Sequence, residues 1–261
     1  MSSSTEGIPV DATRREAITK PLLPTAALSK FSAHHFSASP SGVDSNLLLL
    51  LHGLGDTDAG FFALGQTLQR TLPQTAVLTL QAPHAVPFLD GAHWMWYASF
   101  DRFGELLTAP NPTQTVSDVL ALLEHLVAQC GWPAGSIHLF GFGQGATVAL
   151  ETMVRWSASH PTNALGSIIS VSGTLVSHPT PPPSPTPVLQ VYRSLTDTHT
   201  ARWASHRKAT SSLQLHRLPL AKGQEEAMLT GTEWDGVMQF WARLLRSRSS
   251  WERDGEVVRL G

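Results

Sequence analysis

The segment GFGQG at residues 141–145 separates a short, largely apolar run from a stretch with helical spacing. The run before it ends at a glycine, as a buried strand often does. After it, residues 146–154 repeat apolar side chains at intervals of three and four, which is the period of a helix. The chain is therefore predicted to turn sharply from a strand into a helix here, a unit that belongs to α/β folds.

A second strand is indicated upstream by five consecutive leucines, Leu47 to Leu51. A continuous apolar run of this length is typical of a strand buried on both faces, as the strands of a parallel sheet are. The run leads without interruption into LHGLGDT at residues 51–57. The alternation of further strands and helices along the chain predicts a mainly parallel sheet with helices on both faces.

Other elements follow from the same patterns. A first strand is predicted within 31–38, turning at a Ser-Pro-Ser-Gly sequence, and a helix is predicted near 59–71. One later helix is predicted to begin at a capping box at 115–118, and the last helix at a second box at 232–235. The remaining predicted strands cover 46–51, 76–80, 166–171, 187–192 and 213–218.

With these motifs in place, the chain resembles the phospholipase/carboxylesterase family of α/β-hydrolases, and within it the acyl-protein thioesterases. GFGQGA at 141–146 corresponds to the family's GFSQGG, and LHGLGDT precedes it in the family's order and spacing. The resemblance runs from about residue 31 to about residue 246 and implies an α/β-hydrolase fold. Weaker correspondences are QAPH at 81–84, the aromatic run WMWY at 94–97 and PVLQ at 187–190.

The catalytic triad of that family transfers poorly to this chain. Its serine falls on Gly143, which has no side chain to attack a carbonyl, so a seryl acyl-enzyme at the elbow is excluded. Its aspartate falls on Thr196, with Asp197 one residue further along, and its histidine falls on Glu226. An ordinary carboxylate is far too acidic to serve as the general base at neutral pH. Three altered positions together predict that the demand for this chemistry has relaxed.

The glycine segment also has interpretations outside catalysis. It can be a plain turn between a strand and a helix. A phosphate-binding loop is disfavoured, because the spacing is not G-x-G-x-x-G and no acidic residue closes a ribose site after the next strand. Since the elbow residue of such a fold is strained, glycine at this position relieves strain, and we expect Gly143 to have a positive φ.

The resemblance also implies a place for a ligand. The backbone N–H groups of Leu54 and Gln144 fall where the family's oxyanion hole lies. His52, at the root of the same loop, is expected to orient its neighbours rather than to react. An apolar groove is expected beside the two amides, lined by Phe61, Phe62, Phe88, Trp94, Met95 and Trp96.

Charge and composition exclude several classes of partner. Eighteen basic and twenty acidic residues give a net charge of −2, so neither nucleic acid nor an anionic membrane surface is implied. No apolar run approaches the ~18 residues of a membrane span. A single cysteine, Cys130, and an N-terminus without a secretory pattern predict a cytoplasmic protein. No cofactor or metal is expected, because no histidine pair has metal-ligand spacing with an acidic residue nearby.

The chain is expected to hold one domain at 31–248, between a disordered tail at 1–30 and a C-terminal tail at 249–261. Residues 178–187 contain six prolines between two predicted strands. A stiff surface loop is the favoured interpretation, and a polyproline II partner site is the weaker alternative.

Two functions remain open on the sequence. The favoured one is a catalytically inactive pseudo-hydrolase that binds an acyl group, a lipidated peptide or a protein partner. The expected partner is an acylated protein or a lipid-like small molecule. The alternative is a weak carboxylic ester or thioester hydrolase, in which Glu226 activates a water in the space left by the missing serine side chain. That alternative gives up the covalent step.

Overall fold

The computed structural model describes residues 25–180, 182–195 and 203–247. Within these residues a seven-stranded sheet forms the centre of the fold, and a two-stranded ribbon lies apart from it. The strands are β1 His34–Ser37, β2 Asn46–Leu51, β3 Thr75–Leu80, β4 His84–Ala85, β5 Trp94–Met95, β6 Ile137–Phe142, β7 Ser167–Val171, β8 Val188–Arg193 and β9 Leu213–Leu218.

The order of the strands in the large sheet is β1-β3-β2-β6-β7-β8-β9. β1 runs antiparallel to β3, and every other neighbouring pair is parallel. The predicted α/β fold with a mainly parallel central sheet is therefore confirmed. Because parallel strands share one carboxyl edge, the loops that follow β2, β6, β7 and β9 are brought to the same side of the molecule.

Helices cover both faces of this sheet, as the sequence predicts. They are α1 Thr25–Leu28, α2 Asp58–Gln69, α3 Thr113–Ala128, α4 Gln144–Ser159, α5 Ala204–Ala209 and α6 Asp235–Ala242. The five leucines of β2 show why both faces must be covered. Leu47, Leu49 and Leu51 pack in the cluster that contains α3 and α4, whereas Leu48 and Leu50 pack in the cluster that contains α2 and α6.

Two predicted helix starts are wrong. α3 begins at Thr113, two residues before the predicted box, because the hydroxyl of Thr115 donates to the carbonyl of Trp96 instead of capping a helix. The real capping box near the last helix joins Thr230 to Glu233 and opens a short 3₁₀ turn that leads into α6. Thr230 and Thr232 both precede an acidic residue by three positions, so the sequence pattern alone does not choose between them.

The fold also begins before the predicted boundary at residue 31. Residues 25–28 form α1, and Leu28 is only 1% exposed because it packs against the core beside α3. The parts of the predicted tails at 1–24 and 249–261 lie outside the described residues.

Candidate functional site

Gly143 lies at the turn between β6 and α4, with φ 51° and ψ −117°. This confirms the expected strand-to-helix turn and its positive φ. The Gly143 N–H donates to the carbonyl of Val171 at 2.9 Å, and the Gly143 carbonyl accepts from the N–H of Thr147 at 3.1 Å. Both bonds tie the elbow to its neighbours, so its position at the carboxyl edge of the sheet is held from two sides.

The three glycines of the elbow differ in what surrounds them. A Cβ on Gly141 would lie 2.4 Å from the Cα of Ala146, and a Cβ on Gly145 would lie 2.3 Å from the carbonyl oxygen of Leu51. A Cβ on Gly143 would come no closer than 4.0 Å, to the Cα of Gly53. Close backbone packing therefore requires glycine at 141 and 145, whereas position 143 has room for a side chain and only its φ favours glycine.

The two predicted ligand-binding amides lie on segments that meet at this edge. Leu54 is in the loop after β2, and Gln144 is the first residue of α4. Neither N–H donates to a backbone carbonyl within the described residues. The side chain of Gln144 is fully engaged, since it accepts from the N–H of Trp96 at 2.8 Å and donates to the carbonyl of Tyr97 and the hydroxyl of Ser99. Only its backbone N–H is thus available to a ligand, and the oxyanion role of both amides stays a prediction.

His52 holds the loop that carries Leu54. Its Nε2 accepts from the N–H of Ala82 at 3.1 Å, so its Nδ1 carries the proton and donates to the carbonyl of Gly53 at 2.7 Å. Burial lowers the pKa of His52. With both ring nitrogens used inside the protein, the contacts of His52 fit the orienting role expected from the sequence.

A second histidine, His93, contacts the same loop and was not anticipated from the sequence. Its Nδ1 donates to the carbonyl of Gly55 at 3.0 Å, and the N–H of Gly55 donates to the carbonyl of Trp94 at 2.8 Å. The segment around β5 thereby clamps the residue that follows Leu54. No local motif marks this contact, because the two positions are 38 residues apart.

Glu226, the predicted base position, lies in the exposed loop that follows β9. The hydroxyl of Ser172 donates to the carbonyl of Glu225 at 3.4 Å, and Ser172 directly follows Val171, the partner of Gly143. Burial raises the pKa of Tyr97, whereas a hydrogen bond with the side chain of Thr147 lowers it. The negative charge of Glu226 adds to the rise in the pKa. The structure therefore brings the segment of Glu226 to the edge where the elbow lies.

The sequence predicts the acid position just after β8. Thr196 and Asp197 lie outside the described residues. The last residues before them, Ser194 and Leu195, follow β8 directly at the same carboxyl edge.

Arg193, at the end of β8, is the main structural residue of this edge and was missed by the sequence analysis. It is 3% exposed and forms a two-pronged ion pair with Glu233, at 2.6 Å and 2.8 Å. Its remaining donors reach backbone carbonyls of three residues that flank the base position: Pro219, Ala227 and Met228. The ion pair lowers the pKa of Glu233 to about 2. Arg193 thus fixes both ends of the loop that carries Glu226.

The predicted apolar groove needs a correction. Phe61, Met95 and Trp96 are buried in the core, because α2 and the segment around β5 pack inward, so they are not free to line an open groove. Phe88, in contrast, is 75% exposed and has a positive φ of 64°. Its ring lies 3.5 Å from the position of a Cβ on Gly104, so the loops at 86–93 and 100–107 touch. Their other exposed apolar side chains are Leu89, Phe103, Leu106 and Leu107.

The remaining predictions concern metals, membranes and the proline-rich loop. The described residues contain no cluster of three side chains suited to a metal, and none of their helices is long and apolar enough to cross a membrane. In the proline-rich loop, buried Ser184 donates to the carbonyl of Ala209 and accepts from the N–H of Ser211. These bonds fit a stiff loop fastened to the start of β9, and the partner site stays a prediction.

The sequence model of a protein family described as phospholipase/carboxylesterase matches residues 33–202. The chain belongs to the phospholipase/carboxylesterase family. The match includes the elbow but ends before Glu226, so the assignment of the base position still rests on the sequence motif alone.

Relatives and solved structures agree with this family. The chain is 60% identical over 262 residues to a protein of Mycosarcoma maydis named as an uncharacterized hydrolase, covering 100% of this chain and 99% of that protein. It is 30% identical over 137 residues to acyl-protein thioesterase 1 of Eremothecium gossypii, covering 48% and 53%. The structure of esterase PE8 has a TM-score of 0.65 at 25% identity, covering 82% and 99%. Acyl-protein thioesterase 2 of Zea mays has a TM-score of 0.61 at 20% identity, covering 83% and 100%, which supports the fold.

Proposed function

We propose that this family member is a catalytically inactive pseudo-hydrolase that binds an acyl group, most simply on an acylated peptide or protein. One observation carries the proposal: Gly143 occupies the elbow position, in an otherwise intact strand-to-helix turn, with space above it where a nucleophilic side chain would lie. Without a hydroxyl or thiol at that point, no covalent acyl intermediate forms at the elbow.

The rest of the edge supports retention of a ligand rather than of a reaction. The N–H groups of Leu54 and Gln144 have no backbone acceptor within the described residues and can donate to a carbonyl oxygen. The side chain of Leu54 is 41% exposed beside them, and the exposed loop at 86–93 offers apolar surface. A thioester or ester carbonyl with an apolar chain has the chemistry to use both features.

The inactivity is tested with a fluorophosphonate probe, together with short p-nitrophenyl esters and an acyl thioester. A catalytically intact member of the same family serves as the positive control. We expect no labelling at the elbow and turnover equal to that of buffer. Turnover well above buffer would contradict the proposal.

Ligand binding is tested separately, because loss of activity alone does not demonstrate a ligand. Fluorescence anisotropy with a peptide that carries a palmitoyl thioester is compared with the same peptide without the acyl group. We expect at least tenfold tighter binding of the acylated peptide, equivalent to about 1.4 kcal/mol. Equal binding of the two peptides would remove the acyl group from the proposal.

A second candidate function follows from the open space above Gly143. A Cβ at this position would come no closer than 4.0 Å to another atom, and the segment of Glu226 lies at the same edge. A residual ester or thioester hydrolase would use the Glu226 carboxylate to activate a water. Glu226 is exposed in the loop that follows β9. Turnover that disappears in Glu226→Gln but persists in Glu225→Gln would establish this mechanism.

A cytoplasmic location remains a prediction from the sequence.

A further inference from the structure

Exposed apolar side chains are concentrated on the two touching loops at 86–93 and 100–107. Among the described residues, three large apolar side chains are exposed elsewhere, Leu54, Val176 and Leu195, whereas these loops carry five: Phe88, Leu89, Phe103, Leu106 and Leu107. We call these five the apolar tip. At roughly 150–200 Å² for a side chain of this size, their exposed fractions amount to about 500 Å². That area equals the apolar share of one side of a standard protein interface.

Hydrogen bonds hold the second loop in a tight hairpin. The N–H of Asp101 donates to the carbonyl of Glu105 at 2.8 Å, and the N–H of Leu107 donates to the carbonyl of Ser99 at 2.9 Å. The Oδ1 of Asp101 accepts from the N–H groups of Phe103 and Glu105 at 2.8 Å and 2.9 Å. The backbone of this loop is therefore fixed while the side chain of Phe103 stays 72% exposed.

Phe88 lies in a strained turn at the end of the first hairpin. β4 and β5 pair with each other, and beyond them the N–H of Val86 donates to the carbonyl of His93 at 2.8 Å. In the turn that follows Val86, Phe88 has φ 64°, a region that bulky side chains rarely adopt because of steric clashes. Its side chain is 75% exposed, so packing in the core does not account for the strain. A strained and exposed aromatic residue indicates a role in binding.

Both loops of the apolar tip are tied to the candidate ligand site. His93, at the end of the first loop, donates to the carbonyl of Gly55, which directly follows Leu54. Ser99, just before the second loop, accepts from the side chain of Gln144 at 2.6 Å. A partner that covers the apolar tip would therefore contact loops that are anchored to both candidate amide segments.

The charged side chains of these loops are predominantly acidic. The loops contain three carboxylates, Asp90, Asp101 and Glu105, and one permanent positive charge, Arg102, which gives a net charge of −2. Asp90 and Glu105 are exposed, and neither forms an ion pair within the described residues. The guanidinium of Arg102 lies over the ring of Phe103, 4.6 Å from its centre. An apolar surface beside free carboxylates is complementary to an apolar stripe flanked by basic side chains.

We propose that the apolar tip docks a basic amphipathic helix of a partner protein. In such a helix, apolar residues at intervals of three and four form a stripe, and lysine or arginine residues flank it. The stripe covers Phe88, Phe103 and Leu106, and the basic residues pair with Asp90 and Glu105. Anionic lipid is disfavoured as the occupant, because the loops carry a net negative charge. A second copy is disfavoured as well, because a two-fold interface places the same carboxylates on both of its sides.

Fluorescence anisotropy tests this surface with a labelled peptide of leucine and lysine at helical spacing, about 18 residues or five helical turns long. The same peptide with glutamate in place of lysine is the charge control. Neither peptide carries an acyl group, so the result is independent of the acyl ligand proposed above. We expect the full chain to bind the lysine peptide about tenfold or more tightly than the glutamate peptide.

Substitutions in the apolar tip locate the binding site. Phe103→Ser and Leu106→Ser are each expected to weaken binding of the lysine peptide about tenfold or more. Leu195→Ser is the matched control, because it removes a leucine that is 80% exposed outside the apolar tip, against 74% for Leu106. We expect this control to change the dissociation constant by less than about twofold.

Exchange of the charges tests whether the carboxylates select the partner. In the double variant Asp90→Lys, Glu105→Lys, the preference is expected to reverse, so that the glutamate peptide binds more tightly than the lysine peptide. Glu124→Lys makes the same kind of change at an exposed position on α3 and is expected to keep the preference of the parent protein.

Several results would overturn the proposal. They are the absence of lysine-peptide binding, equal affinity for the two peptides, and equal weakening by Leu195→Ser and Phe103→Ser. Flotation with phosphatidylcholine vesicles that Phe103→Ser abolishes, without peptide binding, would assign the apolar tip to a membrane instead. A dimer in sedimentation equilibrium that Phe103→Ser abolishes, again without peptide binding, would assign it to a second copy.

Discussion

At the scale of single residues, the elbow separates the demands of packing from those of chemistry. Gly141 and Gly145 contact backbone atoms so closely that no side chain fits, whereas a Cβ on Gly143 would come no closer than 4.0 Å to another atom. The sequence motif alone does not show whether a glycine in this turn is required by close packing or by the backbone conformation. Only the packed structure shows which of the three glycines the fold requires.

Alanine substitutions test this difference directly. Gly145→Ala forces a Cβ against the Leu51 carbonyl, and we expect it to lower the free energy of unfolding by at least ~3 kcal/mol or to prevent folding. Gly143→Ala meets no such contact and re-imposes only the positive φ, at about 1 kcal/mol. Urea unfolding of both variants measures the difference. Equal losses would show that the space above Gly143 is not open.

A serine at position 143 tests the proposed inactivity and the predicted positions of the acid and the base. Gly143→Ser alone is expected to give no fluorophosphonate labelling, because the hydroxyl would have the Glu226 carboxylate and not an imidazole as its base. Activity is expected only when Glu226→His is added, with Asp197 recruited or Thr196→Asp included. Gly143→Ala is the control for backbone strain. Rapid labelling of the single serine variant would mean that another histidine serves the site.

At the scale of elements, the loop after β9 depends on one buried arginine. Arg193 bonds carbonyl groups on both sides of that loop and pairs with Glu233. Arg193→Ala leaves Glu233 and several carbonyls without their donor, so we expect a loss of about 3–5 kcal/mol in the free energy of unfolding. Arg193→Lys keeps the charge but not the two-pronged geometry. We expect its free energy of unfolding to lie between those of the parent protein and Arg193→Ala. Chemical denaturation measures these free energies. An Arg193→Ala variant as stable as the parent protein would contradict the prediction.

The same ion pair predicts how stability depends on acid. The pKa of Glu233 is about 2 in the folded protein, against an ordinary value of 4.5. A carboxylate with a lowered folded pKa stabilises the protein fully above about pH 4.5, and this contribution is lost as the pH falls toward 2. Glu233→Gln is expected to flatten the decline in that window, measured by urea unfolding between pH 5 and about 2.5. An unchanged slope would be evidence against the predicted role.

The strands were predicted from sequence more accurately than the helix starts. β2 and β9 have the predicted bounds. In β2 the continuous apolar pattern coincides with the burial of all six residues. Helix starts depend on which partner a threonine hydroxyl finds, and Thr115 finds Trp96 rather than its own helix. Arg193 and His93 were not predicted, because their partners are distant in sequence. The partners of Arg193 are 26 to 40 residues away, and the partner of His93 is 38 residues away.

At the scale of the whole molecule, a deeply buried histidine sets a second dependence on pH. Burial, assisted by the positive charge of Arg246, lowers the pKa of His138 to about 4 from 6.5. The unfolded chain therefore takes up a proton as the pH falls below 6.5 while the folded protein does not. We expect stability to decline from about pH 6.5 to pH 4. His138→Gln is expected to reduce that slope, even if it lowers stability at pH 7, and unfolding curves across this range measure it.

The open space above Gly143 also bears on what makes a protein recognisable as a relative of others. Gly141 and Gly145 are dictated by contacts between backbones, so any chain that keeps this turn must keep them, whether or not it reacts with anything. Position 143 makes no comparable contact, so a serine and a glycine both fit there and only the positive φ favours glycine. Similarity in sequence or in superposed structure therefore reports the shared scaffold. It can persist in a family member whose central elbow residue differs.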